Sequence, residues 1–302
     1  MRSFLAATGA ALLFAACASG VAAQSPSTSD VERIRPGVFE PIAPIEARAV
    51  LVREYQAPEA RQGVAVDKDY FYAVVNTVIA KYDRTTGARV EHWSSPRGGP
   101  IRHINSCYAA EARLWCANSN FPEVPMASSV EVFDSDDMSH ERSVSLGILD
   151  DGSLTFFEPL DGGWIAGFAH YDDKGGLPYK PARYAGIVTY DPQWRRTGGW
   201  MLPESVLARM APHAASGGSI GPDGLLYLFG HDRPEMYVLA KPKMGPVLEH
   251  VATIEVDAAG QAFAWDRSSE RTLFAINRPT GVVRVFEMPE IELNNPNAEA
   301  FR

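Results

Sequence analysis

Three of the seven histidines stand at the ends of hydrophobic segments. His103 begins one such segment, and His170 and His231 each follow the end of another. Neutral imidazoles that meet at one point can bind a divalent metal ion or divide the roles of general acid and general base. We therefore predict these three as catalytic residues or metal ligands, with a structural or solvated role as the alternative. The other histidines have no comparable position and are interpreted as surface or packing residues: His92, His140, His213 and His250.

A second group of polar residues lies beside the same segment ends. Asp232 and Arg233 follow His231, and Arg278 follows Asn277 in the corresponding loop of a later segment. Guanidinium groups there could bind a carboxylate or sugar hydroxyls, although an ion pair between neighbouring units explains them equally well. The predicted substrate-binding residues are Gln62, Asn76, Asn105, Asn118, Asn120, Tyr171, Asp232, Arg233, Gln261, Asn277 and Arg278.

Two segments interrupt the pattern of strands. Residues 170–184 form a long loop with the adjacent glycines Gly175 and Gly176, and its tyrosines could stack on a sugar ring. Loops of this length are uncommon without a use. In Pro203–Met210 a first-position proline, an early glutamate and apolar residues at helical spacing predict a short helix. This helix either packs over the junction of two units or forms a lid over the site.

The elements that carry these residues repeat between residues 48 and 289. Each unit contains an apolar strand, an aromatic-rich strand, a third strand that often ends in aromatic-Asp, and a more polar fourth strand. The first unit reads Gly63–Asp67, Phe71–Asn76 and Val78–Asp83. If first strands begin on the face where second strands end, the polar residues converge at one mouth of a central channel.

The last of the five units has only three strands of its own. Arg48–Tyr55 precedes the first unit and belongs to none. If this segment completes the last unit, the ring closes by pairing the two ends of the chain and leaves only short, protected edges. The sequence therefore predicts an all-β, five-bladed β-propeller of four-stranded antiparallel blades, closed by an N-terminal strand. The repeats are degenerate, so four or six blades are the alternatives.

Three local features carry a resemblance to a known superfamily. They are aromatic-Asp at Tyr82-Asp83, Thr86-Gly87, and the Gly-x-x-x-Asp pattern of Gly63–Asp67. The chain resembles the YVTN- and NHL-type β-propellers of exported bacterial proteins. That resemblance implies the fold and little more, because such propellers include lyases, lactonases, cyclases and pure binding platforms.

Two cysteines frame a predicted hairpin centred on Glu111-Ala112. In that register Cys107 and Cys116 are direct cross-strand neighbours, close enough for a disulfide. An oxidising compartment would favour the bond, and two free, half-buried thiols are the alternative. The spacing does not suit a zinc site.

The first 23 residues predict a signal peptide. Arg2 supplies the positive charge, Phe4–Ala18 form an apolar stretch, and small residues precede Gln24. We predict a periplasmic or secreted protein; a degraded lipoprotein box ending at Cys17 is the alternative. Residues 24–47 are interpreted as a linker and 290–302 as a tail, and no other stretch is long and apolar enough to predict a transmembrane helix.

Composition narrows the choice of partners. The net charge is −9 and no basic face is visible, which excludes nucleic acid as an expected partner. We expect a monomer that meets a small polar molecule or carbohydrate, with one divalent metal ion as a candidate cofactor. Two functions stay open. The first is a lyase, cyclase or hydrolase of a carbohydrate or lactone-like substrate, and the second is a non-catalytic propeller that binds a ligand or protein.

Overall fold

The computed structural model describes residues 41–302, and these residues form five β-sheets arranged as the blades of a propeller. The first two strands are β1 (Ile45–Arg48) and β2 (Val50–Gln56). Blade one contains β3 (Gly63–Val66), β4 (Tyr70–Val75), β5 (Val78–Asp83) and β6 (Arg89–Ser94). Blade two contains β7 (His103–Ala110), β8 (Arg113–Ser119), β9 (Ala127–Asp134) and β10 (His140–Ile148).

The remaining blades repeat the same antiparallel order. Blade three contains β11 (Ser153–Leu160), β12 (Gly163–Ala169), β13 (Gly186–Tyr190) and β14 (Arg196–Met201). Blade four contains β15 (Gly217–Ile220), β16 (Leu226–Phe229), β17 (Glu235–Pro242) and β18 (Glu249–Glu255). Blade five contains β19 (Ala264–Trp265), β20 (Thr272–Asn277) and β21 (Val282–Glu287), with β2 as its outermost strand. The prediction of a five-bladed propeller is confirmed.

The ring closes through the N-terminal strand β2. This strand pairs antiparallel with β21, from Val50 opposite Glu287 to Gln56 opposite Val282. The buried Tyr55 ring lies 4.7 Å from the Phe71 ring of blade one. The closing strand therefore pairs with one blade and packs against the next, as the strand count predicted.

Two short strands extend blade four beyond the predicted repeat. β1 pairs in parallel with β18, and β22 (Ala298–Glu299) pairs with the end of β17. Phe301 is buried and its ring packs edge-on against Trp200 at 5.6 Å. The segments that we interpreted as the end of a linker and as a tail thus make ordered contacts, while the domain limits themselves stay a prediction.

The blades pack through apolar side chains on both faces of each sheet. In β16, Tyr227 and Phe229 belong to one apolar cluster, and the alternate residues Leu226 and Leu228 belong to another. At the junction of blades three and four, the Phe156 ring lies against two glycines, Gly167 and Gly218. A methyl group at either glycine would overlap with this ring. The aromatic ring therefore occupies space that only the absence of a side chain provides.

Two local predictions are confirmed within the described part of the chain. Cys107 and Cys116 stand opposite each other on β7 and β8 and form a disulfide. Glu111 and Ala112 form the turn of this hairpin, both with a positive φ. The predicted helix is α1 (Glu204–Met210), whose Val206, Leu207 and Met210 side chains are buried. Across residues 41–302, no helix has the length and apolar character to cross a membrane.

Candidate functional site

The first strand of each blade begins at the edge of the ring where the second strand ends, and we call this edge the mouth edge. In blade two the register places His103 at the start of β7 opposite Ser119 at the end of β8. Because β16 and β20 also end here, the loops that follow them place His231 and Arg278 on the mouth edge. The topology therefore collects polar side chains from several blades on one face.

A histidine from the segment between α1 and β15 forms the centre of the site. His213 Nδ1 lies 2.7 Å from Asp232 Oδ2, and its Nε2 lies 2.6 Å from Asp173 Oδ1. The His213 side chain is buried, at 9% exposure. Both ring nitrogens face carboxylate oxygens, which can only accept hydrogen bonds when ionised. The doubly protonated imidazolium form satisfies both contacts.

The second imidazole of the site, that of His231, contacts a carboxylate with one ring nitrogen and a guanidinium with the other. His231 Nδ1 lies 2.6 Å from Asp232 Oδ1, and its Nε2 lies 2.8 Å from Arg278 Nη1. A guanidinium has donors only, so Nε2 accepts from Arg278 and the ring proton is on Nδ1, which donates to Asp232. Burial lowers the pKa of His231, which favours this neutral form.

Asp232 joins the two imidazoles. Burial acts to raise the pKa of its carboxyl, but hydrogen bonds from His231 and His213 lower it below its usual value. The side chain is 47% exposed, in contrast to the two histidines that it contacts. The site therefore consists of a carboxylate, open to solvent on one side, between two sheltered imidazoles.

An aromatic wall lies beside this group. The Tyr171 ring packs edge-on against His213 at 4.7 Å and against His231 at 5.6 Å. Its hydroxyl lies 3.0 Å from Ser216 Oγ, and burial raises the pKa of that hydroxyl. The Lys174 amine is 5.3 Å from the centre of the same ring. The long loop of blade three thus supplies an aromatic face and a cation to the site.

The structure does not bring the three predicted histidines together. The His103 ring lies 5.4 Å from the Phe121 ring, and Phe121 in turn packs on Tyr171, so two aromatic rings separate His103 from the cluster. Burial lowers the pKa of His103 to about 4, which makes it neutral. His170 Nε2 lies 2.8 Å from the carbonyl of Asp151, and this imidazole is 5% exposed.

His170 contacts the loop before β11 instead of the cluster because of its neighbours. The absence of a side chain at Gly152 leaves the space that the imidazole occupies, since a Cβ there would lie 2.7 Å from His170 Nε2. The ring also packs edge-on against Tyr184 at 6.4 Å. Of the predicted metal ligands only His231 therefore lies in the cluster, and its imidazole partner is His213, which we interpreted from sequence as a surface or packing residue.

Most of the predicted amide residues bind the protein itself. Gln62 Nε2 donates to Asn76 Oδ1 at 2.7 Å, and Asn105 Nδ2 donates to the Leu154 carbonyl at 2.7 Å. The Asn118 side chain accepts from the backbone N–H of His103 at 3.1 Å. These amides hold neighbouring strands in register at the mouth edge.

Some of the other predicted binding residues also bind the protein itself, and others contact the histidine cluster. Asn120 accepts from the backbone N–H of Ala127 at 2.8 Å and so fixes its own loop. Gln261 is buried with a positive φ, and the Asn277 carbonyl accepts from Gly281 within a turn. Arg233 is exposed. Within the predicted set, the residues that contact the cluster are Tyr171, Asp232 and Arg278.

Sequence reasoning missed two members of the cluster, His213 and Asp173. His213 lies four positions before the first strand of blade four, so it precedes a first strand much as His103 opens one in blade two. An isolated backbone bridge between Tyr171 and His213 joins the two loops. No spacing within either loop predicts this contact.

A cavity of about 260 Å³ lies away from the histidines, at the end of the channel opposite the mouth edge. Five aromatic residues contribute to its lining, and Glu158 lies in it with a carboxylate that accepts from the backbone N–H of Ile220 at 3.1 Å. Arg267 and Arg302 approach the same carboxylate at 3.3 and 3.4 Å. These groups pair with one another, and we place the candidate chemistry at the histidine cluster.

Comparisons with known proteins were made by family, by sequence and by structure. No protein-family model matches the chain. No curated protein matches its sequence.

Solved structures give only distant similarities. The chain is similar to Kuenenia stuttgartiensis hydrazine synthase, with a TM-score of 0.46 and 11% identity over 75% of this chain and 83% of that one. It is similar to U3-55K, with a TM-score of 0.41 and 9% identity over 82% and 100% of the two chains. A chain of a mitotic checkpoint complex gives a TM-score of 0.43 and 8% identity over 85% and 97%. Similarity at this level carries no argument about function.

Proposed function

We propose that this chain is an exported β-propeller enzyme of the YVTN/NHL type that acts on a small polar molecule at the mouth edge. The substrate class is a carbohydrate or a lactone, and the reaction is hydrolysis, elimination or cyclisation. One observation carries the proposal: His213, His231, Asp232 and Arg278 form a continuous hydrogen-bonded group on an open rim. Because the Asp232 side chain is 47% exposed, a ligand can reach this group and replace one of its internal hydrogen bonds.

Arg278 is the proposed anchor for the substrate. Its guanidinium donates to an imidazole nitrogen, although a carboxylate or a carbonyl oxygen of a ligand would give a stronger, charge-assisted bond. Lys174 adds a second positive charge above the Tyr171 ring, and that ring offers an apolar face for a sugar. A small molecule with an oxyanion and a flat face would meet both features at once.

The chain from His213 through Asp232 to His231 is the proposed reactive group. Two imidazoles that share one carboxylate can hold protons at different positions, which suits a reaction in which one group accepts a proton and another donates one. The predicted roles of His103 and His170 and of the amide residues stay predictions. We place them around the cluster as supporting residues of the mouth edge.

A lactonase assay tests the catalytic part of the proposal. The mature protein is incubated with D-glucono-1,5-lactone and with a panel of aldonolactones, and acid release is followed with a pH indicator. We expect turnover that Asp232→Asn lowers by at least about 100-fold, since the shared carboxylate no longer orients either imidazole. His92→Gln is the matched control, because His92 is an exposed histidine far along the chain from the cluster.

Binding data separate the enzyme from the non-catalytic alternative. Thermal shift is measured with D-glucuronate for the wild type and for Arg278→Gln, and Lys243→Gln serves as the control for loss of one positive charge. A ligand-dependent shift without turnover on any lactone would favour a binding propeller. No turnover and no Arg278-dependent shift would contradict the proposal.

The export part has its own test. We propose cleavage before Gln24, a monomeric propeller over 48–289, and a periplasmic or secreted location; the signal peptide, Cys17 and most of the linker lie outside the described residues. Mass spectrometry of protein recovered from a bacterial host should give a mature chain beginning at Gln24, and gel filtration should give a monomer. An intact residue 1–23 segment, or a lipidated Cys17, would contradict this part.

A further inference from the structure

We propose that His213, His231 and Asp232 bind one divalent transition-metal ion. The inference concerns the same site as the proposed function and deepens it, but its test does not depend on turnover. One ligand atom from each of these three residues lies within 4.8 Å of the others. Two imidazole nitrogens and one carboxylate oxygen form a donor set with positions left open for other ligands, as in two-histidine, one-carboxylate metal sites.

Both imidazoles already direct the same atom at the same carboxylate. His213 Nδ1 is 2.7 Å from Asp232 Oδ2, and His231 Nδ1 is 2.6 Å from Asp232 Oδ1. Each of these contacts is a hydrogen bond when Nδ1 carries a proton, because an ionised carboxylate can only accept. A metal ion bound at about 2.0–2.2 Å from each ligand atom requires those atoms to stand roughly 3–3.5 Å apart. The ion would therefore be admitted once both Nδ1 protons leave these contacts, that of His213 to solvent and that of His231 to its own Nε2, and the ligand atoms separate by under about 1 Å.

Asp173 supports His213 from behind. Its Oδ1 lies 2.6 Å from His213 Nε2, and it can only accept the proton of that nitrogen. Once Nδ1 gives up its proton, this contact keeps the remaining ring proton on Nε2 and fixes the plane of the ring. A carboxylate that accepts from the far nitrogen of a ligand histidine is the usual outer partner in such sites.

The surroundings suit a site that is sheltered on one side and open on the other. The side chains of His213 and His231 are 9% and 11% exposed, whereas that of Asp232 is 47% exposed. Imidazole ligands favour zinc, cobalt or iron over the magnesium and calcium that prefer oxygen donors. The open side leaves coordination positions for water or for an oxygen atom of a substrate.

The metal would also change what Arg278 can do. His231 Nε2 accepts from Arg278 only while the ring proton is on Nδ1. When Nδ1 binds a cation, the proton moves to Nε2, which then repels the guanidinium and releases it. The freed Arg278 can bind an anionic group while the metal binds a neighbouring oxygen, so the substrate class narrows to molecules that carry both, such as hydroxy acids and sugar acids.

Metal titration tests the site directly. Mature protein treated with a chelator is titrated with CoCl₂, followed by visible absorption, and with ZnCl₂, followed by calorimetry. We expect one ion per chain with a Kd in or below the micromolar range, on the order expected for a three-residue site. His213→Ala and His231→Ala should each weaken binding by at least about 100-fold, and Asp173→Asn by about 10- to 100-fold. His92→Ala, an exposed histidine, should bind like the wild type.

The Arg278→Gln variant should change metal affinity in the opposite direction from the histidine variants. Removal of a positive charge next to a ligand imidazole should tighten binding, on the order of tenfold. Ligation of the metal by Arg278, or a merely structural role of its hydrogen bond to His231, would not produce this gain. The variant therefore distinguishes a cation at this cluster from non-specific binding elsewhere on an acidic protein.

Circular dichroism and thermal melting establish that each variant is folded, and Asp232→Asn serves as an isosteric third variant if an alanine variant is not. Wild-type affinity weaker than about 1 mM for both ions, or unchanged affinity in the folded His213, His231 and Asp232 variants, would overturn the inference. Metal binding without turnover on lactones supports it and contradicts only the proposed reaction. Turnover on lactones without measurable metal binding overturns the inference and leaves the proposed reaction in place.

Discussion

The disulfide between Cys107 and Cys116 should account for a measurable part of the protein's stability. It joins two residues with a sequence separation of 9. In the chain-entropy description, a cross-link that closes a loop of this length lowers the conformational entropy of the unfolded chain. The loss raises the free energy of the unfolded chain by about 2.6 kcal/mol at 25 °C. For a domain of this size that corresponds to a fall in Tm of roughly 5–10 °C when the bond is reduced.

Urea unfolding of the wild type with and without a phosphine reductant measures this effect. Both cysteines are buried, at 4% and 0% exposure, and reduction removes no heavy atom from the core. Reduction therefore isolates the cross-link from the packing. Cys107→Ala/Cys116→Ala is the control: it should not respond to reductant, and it should lose about 1–2 kcal/mol more than the reduced wild type because two sulfur atoms are missing from the core.

One result would refute this reasoning. If mass spectrometry shows both thiols alkylated and the urea midpoint is unchanged, the cross-link does not restrict the unfolded chain. The turn at Glu111 and Ala112 would then hold the hairpin together in the unfolded state without help from the disulfide.

Gly167→Ala should destabilise the propeller by about 3 kcal/mol in urea unfolding, because the added methyl group overlaps with the Phe156 ring. Gly198→Ala, whose Cβ would meet a single side-chain atom at 3.3 Å, should change stability by less than about 1 kcal/mol, and equal losses would contradict the packing argument. The folded pKa of His103, about 4, lies below its ordinary value of 6.5, so the unfolded chain takes up the proton first as the pH falls. Through this residue the free energy of unfolding should therefore fall by about 2 kcal/mol between pH 8 and pH 5 and level off below pH 4. In His103→Asn the free energy of unfolding should depend less on pH. Parallel pH profiles of the wild type and the variant would contradict this assignment. A chain that lacks residues 45–56 should lose the monomer peak in gel filtration, because β21 then becomes an open edge, and a folded monomer would show that ring closure is dispensable.

Much of the fold could be predicted because the evidence for it lies in short stretches of sequence or in the number of strands in each unit. Alternating apolar residues and turns give the strands. One unit is short of a strand and one segment, Arg48–Tyr55, is unassigned, which gives the pairing of that segment with the last blade. The strand that pairs there is Val50–Gln56, whereas Arg48 lies opposite Glu255 of blade four. The disulfide follows from a single hairpin register. Each of these inferences needs only the geometry of neighbouring strands, which is nearly the same in every antiparallel sheet.

The candidate site was predictable only as a face of the molecule. That His231, Asp232 and Arg278 lie on one rim follows from where second strands end. That His213 and Asp173 join them, and that His170 does not, depends on how loops from different blades meet and on the space left by a glycine at position 152. The repeat of strands determines at which edge of the ring a residue lies. The direction of its side chain depends on contacts between loops, and the loop sequences do not repeat from blade to blade. Only the tertiary structure therefore places the imidazoles.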